Sequence, residues 1–188
     1  MDAVKARRLL GIVSALLLAV HAAWAARLCG PIVRLIRALD GSLELASVEA
    51  ERLVAQADEG LQLLSWLTLA TAAAFVPFFT QVYAASSPQR PPSWAVWSWF
   101  VPIANFFLPY RLAQEVEVHH GRSAQGWMLF GWWTLWLVSR FTQLGAWVQG
   151  NEPGALHYDV ASLVTSVPSA ALAAALCLRW LSPKKRGE

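Results

Sequence analysis

The chain has 188 residues, of which 56% are hydrophobic and 14% charged, with 11 tryptophans and a net charge of +3. A soluble domain carries charge on about a quarter of its residues. Here the apolar residues fall in blocks of bilayer-spanning length, which excludes an ordinary soluble domain and leaves too little chain for a separate one. The positive charge gathers at the two chain ends and most aromatics lie inside apolar blocks, which argues against a nucleic-acid partner.

Lys5, Arg7 and Arg8 precede an apolar run from Leu9 to Ala26. Ala23-Trp24-Ala25 would suit signal-peptide cleavage. The run is nevertheless long enough to remain as an uncleaved first span, so residues 1–27 are read as a transmembrane helix with a basic N-terminus. A lipid-modified Cys29 is disfavoured, because Arg27 sits where that signal wants a small residue. Residues 28–60 change character. Ile32, Val33, Leu35, Ile36 and Leu39 recur at helical spacing, Asp40-Gly41 supplies a stop, and Leu43, Ala46, Ala50, Leu53 and Ala57 form a second apolar stripe. With more acids than bases, this segment is expected outside the cytoplasm. A helical cap at the bilayer surface is the plain reading, and a partner-binding helix the sharper one.

The membrane domain proper is expected over 61–188, with spans at about 61–85, 127–148 and 160–181. Pro77 should kink the first of these by depriving the Ala73 carbonyl of its donor. Between the spans lies Trp94 to Arg111, W-A-V-W-S-W-F-V-P-I-A-N-F-F-L-P-Y-R. Its uncharged core of 14 residues, Trp97 to Tyr110, would reach only about 21 Å as a helix, against about 30 Å of hydrocarbon. Cytoplasmic flanks carry the excess of Lys and Arg, and both chain ends are basic, so the number of crossings should be even. Four spans satisfy that condition. The 94–111 stretch should then be a re-entrant or interfacial helix that enters and leaves from the cytoplasmic side. If it runs as one helix, Pro109 frees the Asn105 carbonyl and Pro102 that of Ser98. The Asn105 side chain should bond across helices rather than face lipid. The expected fold is thus an all-α integral membrane bundle of four transmembrane helices plus this segment.

At W-F-V-P-I-A-N-F-F-L-P-Y-R the chain resembles the bacterial multi-pass membrane proteins grouped as the domain of unknown function 4328 family. Trp99, Phe100, Pro102, Asn105, Pro109 and Tyr110 match the family core, followed here by Arg111. Glu115 matches an acidic position and Trp132-Trp133 the start of an aromatic span. The resemblance covers about residues 61 to 186, with 28–60 and the Ser86–Pro92 connection looking particular to this chain. It implies a multi-pass bacterial membrane protein and no assigned activity; the location expected is the bacterial inner membrane, with both termini cytoplasmic.

Two features could carry chemistry. Glu115, Glu117, His119 and His120 are the one dense titratable cluster. Glu115 and His119 share a helix face and could give two metal ligands, but a full site needs three or four, and a solvated cytoplasmic face is the simpler reading. Arg140 lies inside the 127–148 span, where a central charge costs about 2.5–3.5 kcal/mol, so it should face the bundle. Asp159 is its nearest plausible partner, and a structural ion pair is preferred to a transport site. No cofactor or metal is expected. The reading that results is a non-enzymatic membrane protein acting through interaction, as a scaffold, regulator or sensor subunit. Its partners would be the bilayer and other membrane proteins or a second copy of itself. The alternative is a transporter or channel component whose path is lined by 94–111.

Overall fold

The computed structural model describes residues 2–43, 46–86, 89–101, 103–124, 126–150 and 154–182. Every regular element among them is helical. Pro102, Glu44, Pro153 and the basic tail Lys184, Lys185 and Arg186 lie outside the described residues.

Helix α1 spans Ala3–Leu39, with the Asp2 side chain accepting from the Val4 amide as its N-cap. The expected boundary after Arg27 is absent, because the helix continues through Gly30 and Pro31 for 37 residues, roughly 55 Å. Packing outweighs the proline: Ala25, Leu28 and Ile32 form one buried face against Ala57 of α2 and Leu163 of α6. The predicted stop at Asp40-Gly41 holds, with the Gly41 and Ser42 amides capping the Ala38 and Arg37 carbonyls. Helix α2 then runs without interruption from Ser47 to Ala85 and through Pro77. Segment 28–60 is therefore the far end of a long helical hairpin, continuous with both helices, rather than two separate amphipathic helices. The Trp24 indole donates across it to the Gly60 carbonyl at 3.0 Å, and Arg34 pairs with Glu49 near its tip.

After α2 the chain makes a single helical turn, α3 (Trp94–Trp97), a short 3₁₀ turn at Ala104–Phe106, and the amphipathic α4 (Leu108–His119). Stretch 94–111 is thus not one helix. Pro109 falls in the first turn of α4, where the missing N–H leaves no carbonyl without its donor, so the expected freeing of the Asn105 carbonyl does not arise. Helices α5 (Trp127–Gln149) and α6 (Ala155–Leu181) complete the chain.

Helix α1 sits between α2 and α6, and α6 between α1 and α5. The 94–119 connection lies against both α2 and α5. The main core gathers Phe75, Phe78, Phe79 and Tyr83 of α2 with Trp132 and Trp133 of α5 and Leu176 and Trp180 of α6. Outward-facing residues such as Leu16, Trp66, Leu69, Phe130 and Val164 remain exposed, as apolar side chains do toward lipid. Helices α1, α2 and α6 are long and apolar enough to cross a membrane, which points to a membrane protein. Helix α5 has a spanning length of 23 residues but carries Arg140, Gln143 and several tryptophans, and it is not among those three.

Candidate functional site

The Glu/His cluster is not a solvated face. In α4, Pro109, Leu112, Ala113, Val116 and Glu117 share the buried side. Glu117 is 1% exposed. Its carboxylate accepts from the Trp180 indole at 2.7 Å and pairs with Arg179 at 2.9 Å and Arg122 at 3.5 Å. Arg122 also donates to the Arg179 carbonyl at 3.0 Å. Glu115 accepts from the Tyr83 hydroxyl at 2.7 Å and from Arg90 at 2.9 Å, so both of its oxygens are engaged. These bonds fasten α4 to α2 and α6. Among the described residues no three His, Cys, Asp or Glu side chains gather as a metal site would require.

The motif stretch is held by aromatic contacts. Trp99 inserts between α2 and α5, meeting Phe75, Phe79, Trp133 and Trp136 edge-on at centroid distances of 5.8, 6.3, 6.5 and 6.0 Å. Phe106 stacks on Phe141 at 5.5 Å and Tyr110 on Trp133 at 6.2 Å. The chain thus meets α5 first near Trp133, then eight residues further along at Phe141, then near Trp133 again. Arg90 and Glu115, which flank the excursion, are themselves paired.

Beneath this stretch lies a cavity of about 370 Å³. Its walls come from Leu18 and His21 of α1, Thr71 and Phe75 of α2, Trp132, Trp136 and Arg140 of α5, and Ser166, Ser169 and Ala170 of α6, with Trp99, Phe100 and Asn105 on the connection side. Four polar atoms of these residues are buried and find no hydrogen-bond partner in the protein: Thr71 Oγ1, Trp99 Nε1, Asn105 Oδ1 and Arg140 Nε. They are the whole of that class among the described residues, and the four residues that carry them all line one cavity. A buried polar group without a partner costs about 1–3 kcal/mol, and such groups are rare in folded proteins.

Two expectations are corrected here. Asn105 does not bond across helices through its side-chain oxygen. Arg140 makes no ion pair with Asp159, and His21 of α1 lines the same cavity. Of the residues singled out from the sequence, Trp99, Phe100, Asn105 and Arg140 meet at the cavity. Pro109 and Tyr110 pack the return of the stretch. Arg111 and Glu115 border a separate cleft beside Arg90. Sequence reading missed Thr71 and His21, since one threonine or histidine in an apolar run gives no signal of what it faces. It also missed the burial of Glu117, although Ala113 and Glu117, four apart on one helix, offered a clue.

A family model described as Domain of unknown function (DUF4328) matches residues 39–182. The match takes in α2 to α6, leaves nearly all of α1 outside, and begins well before residue 61. Residues 39–60 are therefore not particular to this chain. No curated protein and no solved structure matches.

Proposed function

Because the chain belongs to the Domain of unknown function (DUF4328) family, a description that names no activity, we propose its function from the cavity: a small multi-pass protein of the bacterial inner membrane that works by binding and interaction, as a sensor or regulatory subunit, and not as a catalyst. The observation that carries this reading is the gathering of the four residues with an unpartnered buried polar atom around one cavity, bordered by Trp99, Phe100 and Asn105 of the motif stretch. A site whose occupant touches α2, α5 and the connecting stretch together can bias their packing, and other membrane proteins or a second copy would read that change.

The topology that goes with it has four crossings, α1, α2, α5 and α6, with 94–111 re-entrant from the cytoplasmic side and both termini cytoplasmic. The Arg90–Glu115 pair supports the re-entrant reading, because the flanks of a crossing segment would lie a membrane thickness apart. Arg7, Arg8, His119 and His120 border one cleft with Leu181 and Ser182, so the described ends of α1 and α6 share a face of the bundle, rich in bases. With both natural cysteines replaced, single cysteines at positions 90 and 122 should label from the same side. Labelling from opposite sides would make 94–111 a fifth span and dismantle the reading.

A transport role is the second reading. It is favoured by the hydroxyl, amide and guanidinium groups that facing helices bring to one place, and by the prolines within α2 and α6. Co-purification of partners from native membranes, without solute flux in proteoliposomes, distinguishes the sensor subunit. Flux abolished by Arg140→Leu in a folded protein would replace it with the transporter.

A further inference from the structure

The cavity's chemistry narrows what it can hold. Arg140 is the single residue with a permanent charge among the lining residues, and no aspartate or glutamate stands among them. The guanidinium has no carboxylate partner elsewhere in the described protein. A cationic ligand would meet uncompensated repulsion. A polyol would find few free donors, because the hydroxyls of Thr68, Ser139, Ser166 and Ser169 already donate to backbone carbonyls. The groups that remain are the guanidinium, the Trp99 indole N–H, the Thr71 hydroxyl and the Asn105 side-chain oxygen. The first two only donate, and a hydroxyl can. An acceptor carrying one negative charge satisfies these three donors but not the Asn105 oxygen, which itself accepts, and the planar fork of arginine matches a carboxylate.

The remaining lining is apolar and aromatic, with Leu18, Ala72, Phe75, Val76, Trp132 and Trp136 prominent. The volume of about 370 Å³ lies at the lower end of small-molecule sites. It suits a compact head with one short body and is too small for a two-tailed phospholipid. Resting on the sensor reading of this same cavity, we propose that it binds a small amphipathic monocarboxylate, the carboxylate on Arg140 and Trp99 and the apolar body against Phe75, Trp132 and Trp136. Such a ligand supplies the counter-charge that no described residue gives Arg140, and it draws together α2, α5 and the motif stretch.

The test uses the full chain in phosphatidylcholine nanodiscs, titrated with octanoate, 4-phenylbutyrate and 1-octanol. Thermal midpoint and tryptophan emission are the readouts. Both should respond saturably to a carboxylate, with octanol at least about tenfold weaker. Preference for octanoate points to a ligand drawn from the bilayer, and preference for phenylbutyrate to a water-borne aromatic acid. Arg140→Gln should weaken carboxylate binding by roughly ten- to a hundredfold, as expected for bonds to a charged group. Trp99→Phe keeps an aromatic ring but removes the N–H together with the second ring, and should weaken it by roughly three- to tenfold. Without ligand, Arg140→Gln should be no less stable than the parent, since it removes a charge that has no partner. If octanol binds as well as octanoate, or if Arg140→Gln and Trp99→Phe both bind carboxylate undiminished, the ligand class is wrong. The sensor topology is judged separately by the labelling at positions 90 and 122, so one can fail without the other.

Discussion

Glu117 is the residue whose environment departs most from its sequence appearance. In Glu115-Val116-Glu117-Val118 the alternation looks like a helix face in water, yet the second carboxylate is buried among two arginines and an indole. Removing one partner of a buried ion pair costs about 3–5 kcal/mol, because the other charges lose their compensation. Arg122 and Arg179 retain some access to water, their side chains being 21% and 32% exposed. Glu117→Ala should therefore fall near the low end, about 3 kcal/mol. Glu117→Gln should lose less, since an amide oxygen can still accept from Trp180. Denaturation of the purified protein in detergent, followed by helicity, measures both. A loss below about 0.5 kcal/mol for the alanine variant would mean that the pairing contributes nothing net. The sequence offered each member separately, Glu117 as surface and Arg179 as a basic end. Their meeting was not legible because it is made between α4 and α6, 62 residues apart. Arg140 and Trp99 behave the same way: each was notable alone, and only folding brings them to one wall.

At the scale of elements, the least legible feature was continuity. Gly30-Pro31 and the change of composition at residue 28 both look like boundaries, and both are overridden by the packing of Leu28 and Ile32. Helix ends with their own local chemistry could be read, as Asp40-Gly41 was. The end of α4 uses the same device. Gly121 has φ +71°, the His120 and Gly121 amides turn back on the last carbonyls, and the Arg122 amide bonds to the Glu117 carbonyl at 3.0 Å. That last bond returns the chain beside Glu117, which is how Arg122 reaches the carboxylate. A side chain in the left-handed region costs about 1–2 kcal/mol, so Gly121→Ala should destabilise by about that much even though nothing lies within 4 Å of the added methyl. The loss should shrink in an Arg122→Ala background, where the cap no longer delivers a partner. Equal losses in the two backgrounds would separate the cap from the ion pair.

For the molecule as a whole, α1, nearly all of it outside the family-matched residues, has to be held on the α2–α6 core that supplies the four unpartnered polar atoms. Gly11 does this in part. A Cβ there would lie 2.6 Å from Phe78 Cε2 of α2 and 2.9 Å from Leu181 Cδ1 of α6, so three helices converge where only hydrogen fits. Small residues let helices approach this closely in membranes, where packing and not hydrophobic transfer drives association. Leu181 has room to turn, but Phe78 is fully buried and stands beside Trp180 at 6.5 Å, so its ring cannot yield. Gly11→Leu should cost at least the 1–3 kcal/mol of an overpacked core. Its effect should appear as α1 moving off the core, carrying Leu18 and His21 away from the cavity while the Glu117 network stays intact. Gly30→Leu is the matched control, on the same helix with nothing within 4 Å of the added carbon, and should not lower stability, since leucine is the better helix former. Thermal denaturation of the two variants, with cysteine crosslinking between α1 and α6, gives the comparison. If Gly11→Leu behaves like Gly30→Leu, the crossing at Gly11 is not what seats α1, and its contribution to the cavity must come from the outer contact at Ala25, Leu28 and Ile32 alone.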